Sequence, residues 1–400
     1  MMAKSGITGA VGMAIESKFC SVPVTAGSPA AVGIPGSNPL RYSIVETGSG
    51  IIGSPVVERG KEVDGAVEPR RLTLTGRKYQ GALSCKADPE NLHYPLLGLF
   101  GRDIQSLLSS SPSIYQHIFL PGLYAPSFVI EEDIADGQWG RLSSGTLVKR
   151  LDIEFTSSIT ARAQLLAHRQ IPNSYGIGPS DVLFGSTAAL LPLEMGGDGL
   201  TPVARTSSPY FVDLSASGAG GPLVFAGMGF GSQPGFSAAF MEIAGAPFAV
   251  ELLPGSKITL EREIASMQVG GSGYDPGAAA GGRFLVSGSL SCLYEGMDLP
   301  LAALGGKQAG LNLKVTGALV SGSSLHYSME IHLPQIRLAS APLRATDGAL
   351  IIASSFVGGR DPVLGYSAKV TLVNTFNTSL LGGSWSAVNG PGGLGGWQNS

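Results

Sequence analysis

The sequence predicts a mainly β protein built as two tandem β-sandwich or partial-barrel units, each with a short flanking helix. Three observations carry this: apolar and polar residues alternate along many short segments, Gly or Pro clusters punctuate the segments, and one order of segments occurs twice. In chain order, alternating strands fall at Leu72-Thr73-Leu74-Thr75, Phe128-Val129-Ile130-Glu131 and Leu151-Asp152-Ile153-Glu154-Phe155. Others follow at Leu311-Asn312-Leu313-Lys314-Val315, Tyr327 to Leu333, and Lys369-Val370-Thr371-Leu372-Val373. The best helix runs from Asp88 to Leu99: Asp88 caps the free amides, Pro89 takes the first helical position, and Leu92, Leu96 and Leu99 form one stripe.

The repeat rests on Arg77-Lys78-Tyr79-Gln80-Gly81-Ala82-Leu83-Ser84-Cys85 and its echo Arg283-Phe284-Leu285-Val286-Ser287-Gly288-Ser289-Leu290-Ser291-Cys292. Each is followed by a Leu-rich helical piece ending in Gly, at Leu92–Gly101 and Leu299–Gly305. Each is preceded by a strand, expected at Leu40–Glu46 in the first half and Ile258–Ile264 in the second. The division is an N-terminal arm (1–37), a first β unit (38–162), a Gly/Ser/Pro-rich connector with short strands (163–254), a second β unit (255–378) and a flexible C-terminal tail (379–400).

Composition limits the function. Gly is 58 of 400 residues, about twice the ordinary share of roughly 7 %, without the period of three that collagen needs. Charged residues are 14 %, against an ordinary level of about 25 %, so the chain lacks the charge-rich composition of a disordered protein. The apolar stretches fall short of the roughly 18 residues of a membrane helix. The start lacks the pattern of a signal peptide, which makes cytosolic synthesis the expectation. With 26 basic and 29 acidic residues and a positive mean hydropathy, much surface is expected to be buried against further copies of the chain. A net charge of −3 argues against tight nucleic-acid binding. Cys20, Cys85 and Cys292 are odd in number and widely spaced, which reads as buried thiols.

Catalytic patterns do not emerge, and the sequence asks for no cofactor and no metal. Gly48-Ser49-Gly50-Ile51-Ile52-Gly53 matches a dinucleotide fingerprint in spacing, but Pro55, Val56 and Val57 follow where a helix must begin, so a flexible glycine-rich loop is expected. His326 and His332 share a strand face too far apart for a tight metal pair. Glu131-Glu132-Asp133 reads as a solvated strand end. Trp385 and Trp397 in the glycine-rich tail mark an arm that orders by docking on a neighbour.

The order of motifs resembles the tail tube proteins of long-tailed bacteriophages. The matching residues are Gly76 to Phe100, His117-Ile118-Phe119, Pro126 to Glu131, Gly145 to Phe155, Arg283 to Leu290, Ile331 to Ile336 and Lys369 to Asn374. The resemblance implies a structural virion protein, the major tail tube subunit, assembled in host cytoplasm into rings that stack around a channel for DNA ejection. A duplicated unit implies three copies per ring with pseudo-sixfold symmetry, a ring of six being the alternative. It also implies tail tip, terminator and tape measure proteins as partners, with DNA passing unbound. A lumen lined with Lys and Arg would retain DNA, so an acidic or neutral wall is expected. Alternation places Asp152, Glu154, Glu261 and Glu263 opposite an apolar face, on either a lumen or an outer wall. Ile51, Val56, Val57, Leu107 and Leu108, in expected loops Gly48–Val67 and Gly101–Ser113, are the candidates for contacts between rings. An adhesin-like β-sandwich binding module is the alternative class, and an enzyme the third.

Overall fold

In the computed structural model of the chain, the described residues are 10–15, 41–43, 49–59, 72–87, 89, 91–123, 125–134, 139–155, 159–174, 236–243, 246–249, 253–267, 278–293, 298–346, 349–376, 385–387 and 397–399. The glycine-rich part of the expected connector (175–235), most of the N-terminal arm and Cys20 lie outside them.

The first half holds β1 (Ala10–Ile15), β2 (Arg41–Ser43), β3 (Gly50–Arg59), β4 (Leu72–Lys86), α1 (His93–Phe100), β5 (Gly101–Ser110), β6 (Ser113–Pro121), β7 (Phe128–Ile134), β8 (Trp139–Phe155), β9 (Ile159–Ala167) and β10 (Arg169–Ser174). The second holds β11 (Phe236–Ile243), β12 (Ala246–Ala249), β13 (Ser256–Met267), β14 (Ala278–Leu293), α2 (Asp298–Leu304), β15 (Gln308–Leu319), β16 (His326–Ser340), β17 (Leu343–Thr346), β18 (Ala349–Gly358) and β19 (Lys369–Asn374). Two short strands end the chain, β20 (Trp385–Ala387) and β21 (Trp397–Asn399).

Every described pairing is antiparallel, and the two halves repeat one pairing scheme. In the first, β2-β1-β7-β8-β10 form one ladder and β3-β4-β9-β8 another, so the long β8 belongs to both. In the second, β12-β11-β15-β16-β19 and β13-β14-β18-β17 take the same places, with β16 and β17 together standing for β8. Irregularities repeat too. The β8 bulge between Val148 and Arg150 against β9 recurs between Leu338 and Ser340 against β18, and the β7 bulge between Phe128 and Ile130 recurs between Ala309 and Leu311. Ser49 Oγ accepts the Ser84 amide at 3.0 Å, and Ser256 Oγ accepts the Ser291 amide at the same 3.0 Å and the same sequence separation of 35. The β5-β6 hairpin is an addition to the first half; it lies between α1 and β7 where the second half runs straight from α2 to β15.

Alternation explains which faces are buried. Leu151, Ile153 and Phe155 of β8, Ile258 and Leu260 of β13, and Leu311, Leu313 and Val315 of β15 point into one apolar core. All eight residues of α1 are buried, as expected of a helix apolar on every side.

Several expectations are corrected. The helix starts at His93, not Asp88, with Pro95 tolerated in its first turn, where its missing N–H breaks no bond. It ends as read, at Gly101 with φ 77°, whose N–H bonds the Leu97 carbonyl. The expected loop Gly48–Val67 is a strand from Gly50 to Arg59, and β3, not a strand at Leu40–Glu46, is the counterpart of β13. Gly and Pro are tolerated because β3 is an edge strand among the described residues. Residues Gly101–Ser113 form β5 and the hairpin turn. At the ends of the expected arm and connector, β1, β10, β11 and β12 pair into the sheets of the two halves.

Candidate assembly seam and channel face

The two halves meet edge to edge. Strand β13 pairs with β8 from Ser256↔Phe155 to Glu261↔Arg150, so β3-β4-β9-β8-β13-β14-β18-β17 is one continuous ladder across both halves. On its polar face the seam carries an ion cluster around Asp152. Arg150 donates to Oδ1 from Nε at 3.0 Å and Nη2 at 2.8 Å, Thr259 donates from across the seam at 2.6 Å, and Lys257 Nζ stands 3.5 Å away. Burial alone would raise the Asp152 pKa; the hydrogen bonds from Arg150 and Thr259 and the two nearby cations outweigh it and hold the carboxyl below its usual range.

On the core face, Arg262 of β13 reaches across the seam and is nearly inaccessible to solvent. Its Nε donates to the Leu99 carbonyl at 2.8 Å and its Nη2 to Phe100 and Gly122 at 3.0 Å each, with Nη1 3.4 Å from the Leu123 carbonyl. Leu99 and Phe100 are the last residues of α1, so the guanidinium caps the carbonyl end and the negative pole of the helix dipole, sharing the Phe100 carbonyl with the Gly122 N–H. Burial pushes its pKa down to about 10, which leaves it charged at neutral pH. This clamp joins the second half to the helix of the first.

Asp152, Glu154, Glu261 and Glu263 all lie on the polar face of the continuous ladder, opposite the core. Cations accompany three of them: Arg150 and Lys257 at Asp152, Lys149 3.9 Å from Glu261, and Arg283 3.1 Å from Glu263. The Arg283 hydrogen bond holds the Glu263 pKa low. Among the candidates for contacts between rings, Val57, Leu107 and Leu108 are exposed and Val56 is half-buried, but Ile51 is fully buried, its side chain turned into the core by the alternation of β3. The backbones of Trp385 and Trp397 form the β20-β21 hairpin, and Ser386 pairs with Arg102 of β5 in the same chain; the two indole groups lie outside the described side chains.

Besides Arg262, sequence reading missed two buried groups. Glu132, expected to be solvated, is buried and accepts the Ile51 backbone N–H, while Gln170 of β10 donates to the Ile51 carbonyl at 2.8 Å. His93, Asp103 and His117 form a fully buried cluster whose ligating atoms lie within 4.8 Å of one another, close enough to hold a metal ion. Its hydrogen bonds fit a proton-sharing pair: His117 Nε2 donates to the Phe376 carbonyl at 2.9 Å, and Nδ1 faces the Asp103 carboxyl at 2.9 Å. Burial raises the Asp103 pKa against the opposing pull of His117. Because Phe376 follows β19, this cluster also fastens the hairpin to the second half, where β6 pairs with β19. The His-x-Phe motif was the visible signal; Asp103 had none. His326 and His332 are apart, bonded to the Gly317 carbonyl and the Tyr366 hydroxyl.

The geometry is thus that of a scaffold with edges and polar faces. A crystal structure of Hcp protein aligns with 33 % of this chain and 98 % of that one at 14 % identity, but the TM-score of 0.18 is too low to carry an argument. No characterised protein sequence matches. The family profile described as phage tail tube protein matches residues 6–371, nearly the whole chain, and with a mainly antiparallel β architecture already in view the chain belongs to the phage tail tube protein family, structural components of the virion tail.

Proposed function

We propose that this chain is the major tail tube subunit, closing into rings that stack into the conduit for DNA. The observation that supports this best is the β8-β13 seam. It joins two repeats of one fold edge to edge and leaves β3 and β17 paired on one side only among the described residues. Since β3 is the counterpart of β13, and β16-β17 of β8, the two open edges match each other as the joined pair does. Such a head-to-tail interface either closes into a ring or grows without end. Three chains then give six equivalent units around the axis.

In that ring the polar face with Asp152, Glu154, Glu261 and Glu263 lines the lumen. Asp152, Glu261 and Glu263 stand beside cations, which offsets part of the wall's negative charge without making it basic, and such a wall lets a polyanion slide. The tape measure protein would fill this lumen before DNA, and tip and terminator proteins would close the ends. Negative-stain microscopy with native mass spectrometry of the purified chain, alone and seeded with tail tips, tests the reading. Hollow rings or tubes built from three chains per ring are expected; a chain that stays monomeric with and without seeds overturns it.

A further inference from the structure

We infer that Glu132 and Gln170 are placeholders: in the free chain they occupy the backbone groups of β3 that the β17 edge of a second copy takes over during assembly. This rests on the ring reading above and adds which edges meet, in which register, and what keeps them apart beforehand.

The internal seam fixes the register. Ser49 and Ser84 correspond to Ser256 and Ser291, and the matched bulges align β8 with β16-β17. Carrying the pairs Ile258↔Ile153, Thr259↔Asp152 and Glu261↔Arg150 onto the open edges gives Ile51 opposite Leu343, Ile52 opposite Pro342 and Ser54 opposite Ser340 of the next copy. At the centre of that register lies Ile51. Its N–H and C=O turn away from β4 and are held by Glu132 Oε1 and Gln170 Nε2. A carboxylate that accepts and an amide that donates reproduce what a neighbouring strand residue would offer.

The second half supplies the control. By matched register, Glu132 corresponds to Leu313, and the neighbour of Lys369 that corresponds to Gln170 is Ala368. Both are fully buried apolar residues. There the partner strand β8 is permanently in place on β13, and no side chain needs to stand in for it. Unprotected sheet edges invite uncontrolled pairing, and inward-directed charged side chains are one way proteins guard them. The external seam also differs in chemistry: Ile52, 65 % exposed, and Pro342 replace the Thr259–Asp152 hydrogen bond, and Pro55 stands where Arg262 does.

The test installs the second-half residues, Glu132→Leu with Gln170→Ala, and also Gln170→Ala alone in case the buried double change compromises folding. Light scattering against chain concentration is expected to show assembly at least tenfold lower in concentration for a guard-free chain, with tubes of normal diameter. A threshold equal to or above that of the parent overturns the guard. In parallel, S54C with S340C is expected to form disulfides between copies only in assembled material, whereas S54C with P342C, two residues out of register on the same sheet face, gives far fewer. Normal rings without the S54C–S340C cross-link overturn the seam and leave the ring reading standing; absence of any ring refutes that reading instead.

Discussion

Replacing Arg262 by Met isolates the clamp between the halves. Met keeps much of the apolar stem but removes the donors, leaving the carbonyls of Leu99, Phe100 and Gly122 without the bonds they have at 2.8, 3.0 and 3.0 Å. Hydrogen bonds from a charged donor contribute about 1.5–3 kcal/mol each, offset by the several kcal/mol it costs to desolvate a guanidinium. The expected net loss is about 3 kcal/mol. Arg262→Lys retains a point charge without the fork and should lose about half as much. The assay is urea unfolding of the unassembled chain followed by circular dichroism. For a slope of about 3 kcal/mol per molar, the Met variant should unfold about 1 M earlier. If both variants remain within about 0.5 kcal/mol of the parent, the range of an ordinary surface change, the guanidinium does not hold the halves together.

Three further outcomes follow from the same geometry. Because folding lowers the Asp152 pKa, its contribution is complete above the ordinary value of 3.8 and is lost as pH falls through the lower folded value; Asp152→Asn should flatten that acid-side loss in a pH series of unfolding midpoints. Gly81→Ala and Gly288→Ala should each cost at least about 1–3 kcal/mol and lower soluble yield, since an added Cβ would lie 1.8 Å from the Gly50 carbonyl oxygen and 2.4 Å from that of Lys257. Leu304 ends α2 as Phe100 ends α1, yet Leu304 is 87 % exposed while Phe100 is fully buried beneath the seam. Leu304→Asp should therefore leave the monomer's unfolding midpoint unchanged and raise the concentration needed for assembly, read by sedimentation.

The fold class was legible because alternation is a local property that survives in every strand paired within a half, as in Leu151 to Phe155. The repeat was legible through the Arg-aromatic strands, where the close approach of a neighbouring strand demands Gly81 and Gly288 at matching places. What escaped was decided by distant partners. Strand β3 looked like a loop because Gly50, Gly53 and Pro55 are unfavourable in a central strand, and nothing local says that this one lies at an edge. Arg262 sits at an apolar-face position between Glu261 and Glu263, and its carbonyl partners lie more than a hundred residues earlier. Glu132 looked solvated for the same reason: its partner, the Ile51 amide, is 81 residues away. The polar face carrying the four carboxylates was legible from period two alone, but the cations beside three of them, Lys149 and Arg283 included, required the strand register.

The most direct measurement is a side-chain-resolution electron-microscopy reconstruction of assembled tubes. It should show three chains per ring, with β17 of each copy paired to β3 of the next as β8 pairs with β13, and with Ile51 bonded to Leu343 rather than to Glu132 and Gln170. Rings in which β3 and β17 both face solvent, or in which other edges join the copies, would contradict it.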